Sequence, residues 1–127
     1  MDGRELLAVF AGGVVGTLAR AGVEQAWAPR PGHWPWATLL VNVAGSFVLG
    51  WVVTTRRPPA PTVHRRALLG TGFCGALTTF STFQLELLRM LDGGRVGLAV
   101  LYAAVSIAAG LAAVEMAHGR AAPEPPE

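Results

Sequence analysis

Residues 36–54, WATLLVNVAGSFVLGWVVT, hold no charged side chain and no proline. A helix needs about 20 such residues to cross the ~30 Å hydrocarbon core of a bilayer, and this run supplies them. Three further apolar runs follow the same measure: Leu6 to Trp27, interrupted only by Arg20 and Glu24; Ala67 to Leu91, with Glu86 and Arg89 in its last turns; and Val96 to about Ala117, uncharged until Glu115. The composition agrees, at 52% hydrophobic and 14% charged over 127 residues, where a soluble domain carries nearer 25% charged. The sequence reads as an all-α membrane protein with four transmembrane helices at about 6–27, 36–54, 67–91 and 96–117, in one domain over residues 1–120. A soluble helical bundle is the alternative, and the uncharged second run argues against it.

The segments between the runs carry turn chemistry: APRPGHWP at 28–35, RRPPAPTVHRR at 56–66 and DGGR at 92–95. The tail from 121 to 127 is Pro-rich and acidic and reads as disordered. Trp27, Trp34, Trp36 and Trp51 fall near span ends, where an interfacial aromatic belt would put them. All 10 basic residues are arginine. An even number of spans puts both termini on one side with Arg4, Arg56, Arg57, Arg65, Arg66 and Arg120, against Arg20, Arg30, Arg89 and Arg95 on the other. That is a weak bias toward cytoplasmic termini, and orientation stays open.

Several function classes lose support at this stage. No basic face with interleaved aromatics points to nucleic acid. The single cysteine, Cys74, allows no internal disulfide and reads as a small buried packing residue. His33, His64 and His118 are far apart, so no zinc-ligand spacing exists. The first run opens with Asp2, Arg4 and Glu5 and is too long for a cleavable signal peptide. A literal G-x-G-x-x-G at Gly70, Gly72 and Gly75 lies inside an apolar span with no strand before it, so it is no dinucleotide fingerprint. Small residues such as Gly12, Gly16, Gly45, Gly50 and Gly110 allow close helix contact in lipid, and oligomerisation is the expectation.

The stretch GALTTFSTF at 75–83 concentrates polarity where none is expected. Gly75, Thr78, Thr79, Ser81 and Thr82 sit near the middle of the third span, and such side chains compete with helical hydrogen bonding. The reading is a third helix broken near its centre. Unsatisfied backbone groups in hydrocarbon cost several kcal/mol each, so a break survives there only if it is buried in protein, lines a wet path or binds an ion. Phe80 and Phe83 share a helical face. Packing is their ordinary role, but their interleaving with hydroxyls lets an anion approach the positive ring edges.

Other helices carry matching stripes. Thr38, Asn42 and Ser46 recur every four residues on the second span, and Tyr102, Ser106 and Gly110 do so on the fourth. Interhelical hydrogen bonds worth about 1 kcal/mol are one account of them; a rail of fixed donors along a pathway is the other. Arg20 either snorkels to the headgroups or makes a positive vestibule. Glu86 is a loop-proximal carboxylate or a proton or vestibule group.

Three stretches, GGVVGTLAR at 12–20, VNVAGSFVLG at 41–50 and GFCGALTTFSTF at 72–83, resemble in order and spacing the signature stretches of the Fluc/CrcB fluoride channels. The resemblance covers residues 6 to 117, and the third stretch is the most specific. It implies a passive channel exporting cytoplasmic fluoride across the inner membrane of a prokaryote and conferring fluoride resistance. It further implies an antiparallel, dual-topology dimer with two pores around a central structural sodium ion. In this chain Asn42 matches the pore asparagine, Phe80 and Phe83 the phenylalanine box, and Tyr102 and Ser106 the polar track of the fourth helix. Thr38, Ser46, Thr79, Ser81 and Thr82 are further pore hydroxyls, Arg20 and Glu86 vestibule groups, and Gly75 and Thr78 the backbone carbonyls for sodium. Gly110 departs from members that carry another hydroxyl there. Self-pairing and pairing with a paralogue are both left open. The rival readings are a small proton-coupled exporter, for which Glu86 is the one candidate carboxylate, and a structural membrane subunit without transport.

Overall fold

The computed structural model describes residues 1–28, 30, 33–54 and 61–120. The tail from 121, and Arg56 and Arg57 of the second loop, lie outside them. Among the described residues every regular element is helical.

Helix α1 spans Gly3–Ala26. It starts where Asp2 accepts a hydrogen bond from the Glu5 amide at 2.8 Å while Glu5 accepts one from the Asp2 amide at 3.2 Å, a reciprocal cap for two otherwise orphaned donors. Helix α2, Trp36–Thr54, opens directly after Pro35 and runs without interruption. Helix α3 has three parts: α-helical Pro61–Arg65, π-helical Arg66–Cys74 and a last α turn, Gly75–Leu77. The wide winding falls on RALLGTGFC, whose glycines lower α-helical propensity.

After Leu77 the backbone straightens: Thr78 (φ −78°, ψ 153°) and Thr79 (φ −144°, ψ 116°) are extended. Helix α4, Phe80–Asp92, begins there because the Thr79 hydroxyl accepts from the Thr82 amide at 3.2 Å. A turn through Gly94, the one described residue with positive φ (74°), returns the chain into α5, Val96–Arg120. Only glycine adopts that φ without steric cost.

Close backbone approach sets the packing of α1 on α3. A Cβ at Gly12 would fall on the Leu68 carbonyl, and one at Gly16 on the Phe73 carbonyl. The G-x-x-x-G spacing of α1 thus presses its backbone onto the π-helical wall, where dispersion acts at the shortest range. Helix α2 packs along α5, with Gly50 against Val114 and Ala117. Met90, Ala99 and Tyr102 join α4 to α5 in a buried cluster.

Three helices, α1, α2 and α5, are long and apolar enough to cross a membrane. Their apolar side chains point outward: Leu7, Phe10 and Leu18 on α1, and Val100, Ile107 and Leu111 on α5, are exposed. A water-soluble monomer avoids contiguous apolar surface of this kind, and lipid or another protein surface accommodates it. The chain is a membrane protein.

Candidate functional site

The extended dipeptide Thr78–Thr79 frees backbone groups that a continuous helix would have used, and α1 and α2 answer them. Asn42 on α2 donates from Nδ2 to the Thr79 carbonyl at 3.1 Å and accepts the Thr79 amide on Oδ1 at 2.8 Å. One side chain thereby holds both polar groups of one peptide residue. Arg20 on α1 donates from Nε to the Ala76 carbonyl at 3.0 Å, near the C-terminal end of α3, where a cation suits the negative end of the helix. Its NH1 reaches Glu24 at 3.5 Å. The Thr78 hydroxyl turns back to the Cys74 carbonyl at 2.8 Å, and Gly45 on α2 leaves room for the Thr78 methyl.

One cavity borders this backbone, and a second lies beyond it along α4, at Thr82 and Glu86. The inner one, about 430 Å³, is lined by Asn42, Ser46, Thr78, Thr79, Phe80 and Ser106, together with Phe83. Its lining contains no charged side chain among the described residues. The Ser106 hydroxyl is buried in the wall with no hydrogen-bond partner among the described residues. The Ser46 hydroxyl donates to the Asn42 carbonyl one turn back at 2.8 Å, so of the Thr38–Asn42–Ser46 stripe its last member is engaged locally. Gly110 faces Ser46, with a Cβ position 3.7 Å from Ser46 Oγ. Phe80 and Phe83 stack with centroids 6.0 Å apart, and Phe80 is 69% exposed.

The outer cavity, about 630 Å³, lies at the N-terminal end of α2 and is lined by Trp27, Trp34, Trp36, Thr38, Thr82 and Glu86 among others. Here Glu86, 8% exposed, accepts from the Thr38 hydroxyl on Oε1 and from the Tyr102 hydroxyl on Oε2, both at 2.6 Å. Three helices thus converge on one carboxylate, and Tyr102 and Thr38 are themselves almost wholly enclosed. Short O–H···O bonds to a carboxylate are of the strong, charge-assisted kind.

The sequence-predicted residues therefore fall into groups. Asn42, Ser46, Thr78, Thr79, Phe80, Phe83 and Ser106 meet at the inner cavity, with Gly75 also in its wall; Thr38, Thr82 and Glu86 meet at the outer one. Tyr102 stands between, its ring 5.2 Å from Phe83 and 5.4 Å from Trp34 by centroids. Ser81 is exposed on α4 and lines neither cavity, and Arg20 serves the α3 terminus. Trp34, an aromatic-belt residue by sequence, instead packs against Tyr102. Its contact with Tyr102 spans 68 positions, and no local pattern signals it.

Among the described residues no group of three or more His, Cys, Asp or Glu side chains stands ready for a metal ion. At the chain break the Thr79 amide, which would close a helix onto the Gly75 carbonyl, goes to Asn42 instead.

Comparison with known proteins gives one consistent result. A profile of the family described as "CrcB-like protein, Camphor Resistance (CrcB)" matches residues 7–118. The fluoride-specific ion channel FluC 1 of Mycolicibacterium paratuberculosis is 54% identical over 117 residues, which cover 91% of this chain and 89% of that one. FluC 1 of Mycobacterium tuberculosis is 51% identical over the same shares. The fluoride-specific ion channel FluC of Pseudomonas fluorescens is 46% identical, over 85% of this chain and 89% of its own. On the extent of the profile match and these identities, the chain belongs to the CrcB family.

Proposed function

We propose that this protein is a passive, fluoride-selective channel and not an enzyme. The observation that carries the reading is the inner cavity, where amide, hydroxyl and aromatic ring edges converge without a charge, in a chain whose relatives are named fluoride-specific ion channels. Fluoride is small and strongly hydrated, so a dry narrow path must replace its water with fixed donors. Asn42 keeps one Nδ2 hydrogen beyond its bond to Thr79, Ser106 has its hydroxyl unspent, and Phe80 and Phe83 offer positive ring edges. Larger anions are rejected by size. Fluoride leaves the cytoplasm down its own gradient.

The third crossing is built from α3 and α4 together, with the Thr78–Thr79 break at mid-membrane. An irregular backbone at that depth is tolerated when protein or a water-lined path satisfies it, and Asn42 and Arg20 do so here. Phe80 lacks a second wall in a single chain. A second copy of opposite topology supplies it, giving two pathways in an antiparallel homodimer; pairing with a paralogue is an outcome of the same chemistry. The Gly75 and Thr78 carbonyls from two copies would hold a sodium ion on the dimer axis. Hard cations prefer such oxygen donors, and the ion's role there is to fix the breaks against each other. The bacterial sources of the relatives support the prokaryotic inner membrane as the location.

A proton-coupled exporter needs a carboxylate on the path. Glu86 is the one at hand, but two hydroxyls engage its two oxygens, and the inner cavity has none. Efflux from proteoliposomes separates the readings. Rapid loss of fluoride but not chloride, with no pH gradient, is expected. Dependence on a proton gradient would instead establish the exporter, and absence of flux a structural subunit.

A further inference from the structure

Near the C-terminal end of α2, an arginine of α3 is fixed in place by a ring and not by a carboxylate. The Arg65 guanidinium lies over the Trp51 ring, its Cζ 4.6 Å from the centroid, within the range of a cation–π contact. Neither α2 nor α3 carries an aspartate or glutamate, and among the described residues no carboxylate pairs with Arg65 or Arg66. Arg66 is exposed at the next position. Stacking uses the face of the guanidinium and sets its plane, so the N–H groups along its edge stay available. Two positive charges thus stand at the end of a membrane-spanning helix, and one of them is already oriented.

The surface beside them narrows the ligand. On α2 the inner-cavity residues Asn42, Gly45, Ser46 and Leu49 take one side. Leu40, Ala44 and Trp51, all exposed and spaced by four and seven positions, form an apolar stripe on the other. Leu49 and Val52 are the side chains that pack toward Gly70 of α3, so the stripe lies outside the α2–α3 contact. From Leu40 to Trp51 the helix rises about 16 Å at ~1.5 Å per residue. That is close to half of the ~30 Å hydrocarbon core, the depth one acyl chain reaches. A free phosphate would use the charges and leave the stripe bare. A second copy docked through Phe80 and the inner cavity meets the opposite side of α2 and leaves it bare as well.

We propose that Arg65, together with Arg66, binds the phosphate of an anionic phospholipid whose acyl chain runs along Trp51, Ala44 and Leu40. The guanidinium fork matches two phosphate oxygens at once, and the Trp51 ring holds it ready, so little ordering accompanies binding. Trp51 serves twice, as the platform for the guanidinium and as the first contact of the chain. The site lies apart from the inner cavity and does not depend on what passes there.

The test uses the full chain in a neutral detergent, offered phosphatidylglycerol and phosphatidylcholine in equal amounts, with the retained lipid counted by native mass spectrometry. Wild-type protein should retain phosphatidylglycerol roughly tenfold over phosphatidylcholine, the scale of one hydrogen bond between charged groups. Arg65→Gln should abolish that preference. Arg89→Gln removes an equal charge from the last turn of α4, at the opposite end of the third crossing, and should keep it. Phosphatidylglycerol should also raise the wild-type thermal midpoint saturably, and inorganic phosphate at the same concentration should not. Equal retention of the two lipids by the wild-type protein overturns the site without recourse to any variant. So does an Arg65→Gln protein with the wild-type preference, or an equal loss in Arg89→Gln, which would make net charge and not a site responsible. A midpoint raised equally by inorganic phosphate overturns the lipid as ligand.

Discussion

Replacing Asn42 with alanine removes the group that holds the chain break. Two hydrogen bonds disappear together, Nδ2 to the Thr79 carbonyl at 3.1 Å and the Thr79 amide to Oδ1 at 2.8 Å. Each leaves a backbone group unsatisfied in a part-buried, water-poor setting, at about 1–3 kcal/mol per group. Partial solvent access to Asn42 and repacking by neighbours reduce the sum, so the expected loss is about 2–4 kcal/mol. On the scale of small helical domains this lowers the unfolding midpoint by roughly 10 °C. Cys74, buried one turn before the break, provides the assay, because a fluorogenic thiol reagent reaches it only when α3 opens. Asn42→Ala should label at a correspondingly lower temperature and lose fluoride efflux. Asn42→Asp retains the acceptor for the Thr79 amide but loses the donor to the Thr79 carbonyl and sets a negative charge on the path, so it should recover at most part of the thermal stability and none of the flux. An Asn42→Ala protein that labels at the wild-type temperature and conducts at the wild-type rate would refute the clamp. A conducting Asn42→Asp would remove Asn42 from the anion path.

Other substitutions probe the remaining parts. Tyr102→Phe withdraws one of the two hydroxyls that hold Glu86, at about 1.5–3 kcal/mol for a bond to a charged group; efflux should fall while gel filtration still finds the assembled protein, and full flux would show the carboxylate's setting to be immaterial. Gly16→Ala drives a Cβ onto the Phe73 carbonyl and should cost about 1–3 kcal/mol of overpacking, read as a lower thermal midpoint; an unchanged midpoint would contradict the close α1–α3 approach. Phe80→Ile keeps an apolar body and removes the ring edge, so fluoride flux should be impaired with the proposed dimer intact. Wild-type conduction by Phe80→Ile would mean that ring edges do not carry the ion.

What could be read from the sequence follows from how local each signal is. Uncharged runs such as 36–54 dictate helix and membrane partition by themselves, and the three signature stretches point to the family. The capping box at Asp2 and Glu5 is equally local, and the helix it caps starts at Gly3. Other features rest on distant pairs. Thr38 and Glu86 are 48 positions apart, and Arg20 and Ala76 are 56 apart, so the stripe that put Thr38 in line with Asn42 and Ser46 could not reveal that its hydroxyl turns to a carboxylate on α4. The π-helical winding of Arg66–Cys74 has the same character, since its wide turns lie where Gly12 and Gly16 bring the α1 backbone against them. Trp34 illustrates the limit most clearly. Its composition signal suits any interfacial aromatic, and only the packing of α4 and α5 around it isolates its N–H.

The central claim, that fluoride alone passes and passes uncoupled, is tested most directly by the reversal potential of the reconstituted wild-type protein. With a tenfold fluoride gradient across a planar bilayer, chloride and pH equal on both sides, a passive fluoride-selective channel reverses at about 59 mV, the value for one charge per ion. A reversal potential near zero, or one that moves when a pH gradient is imposed, would contradict it.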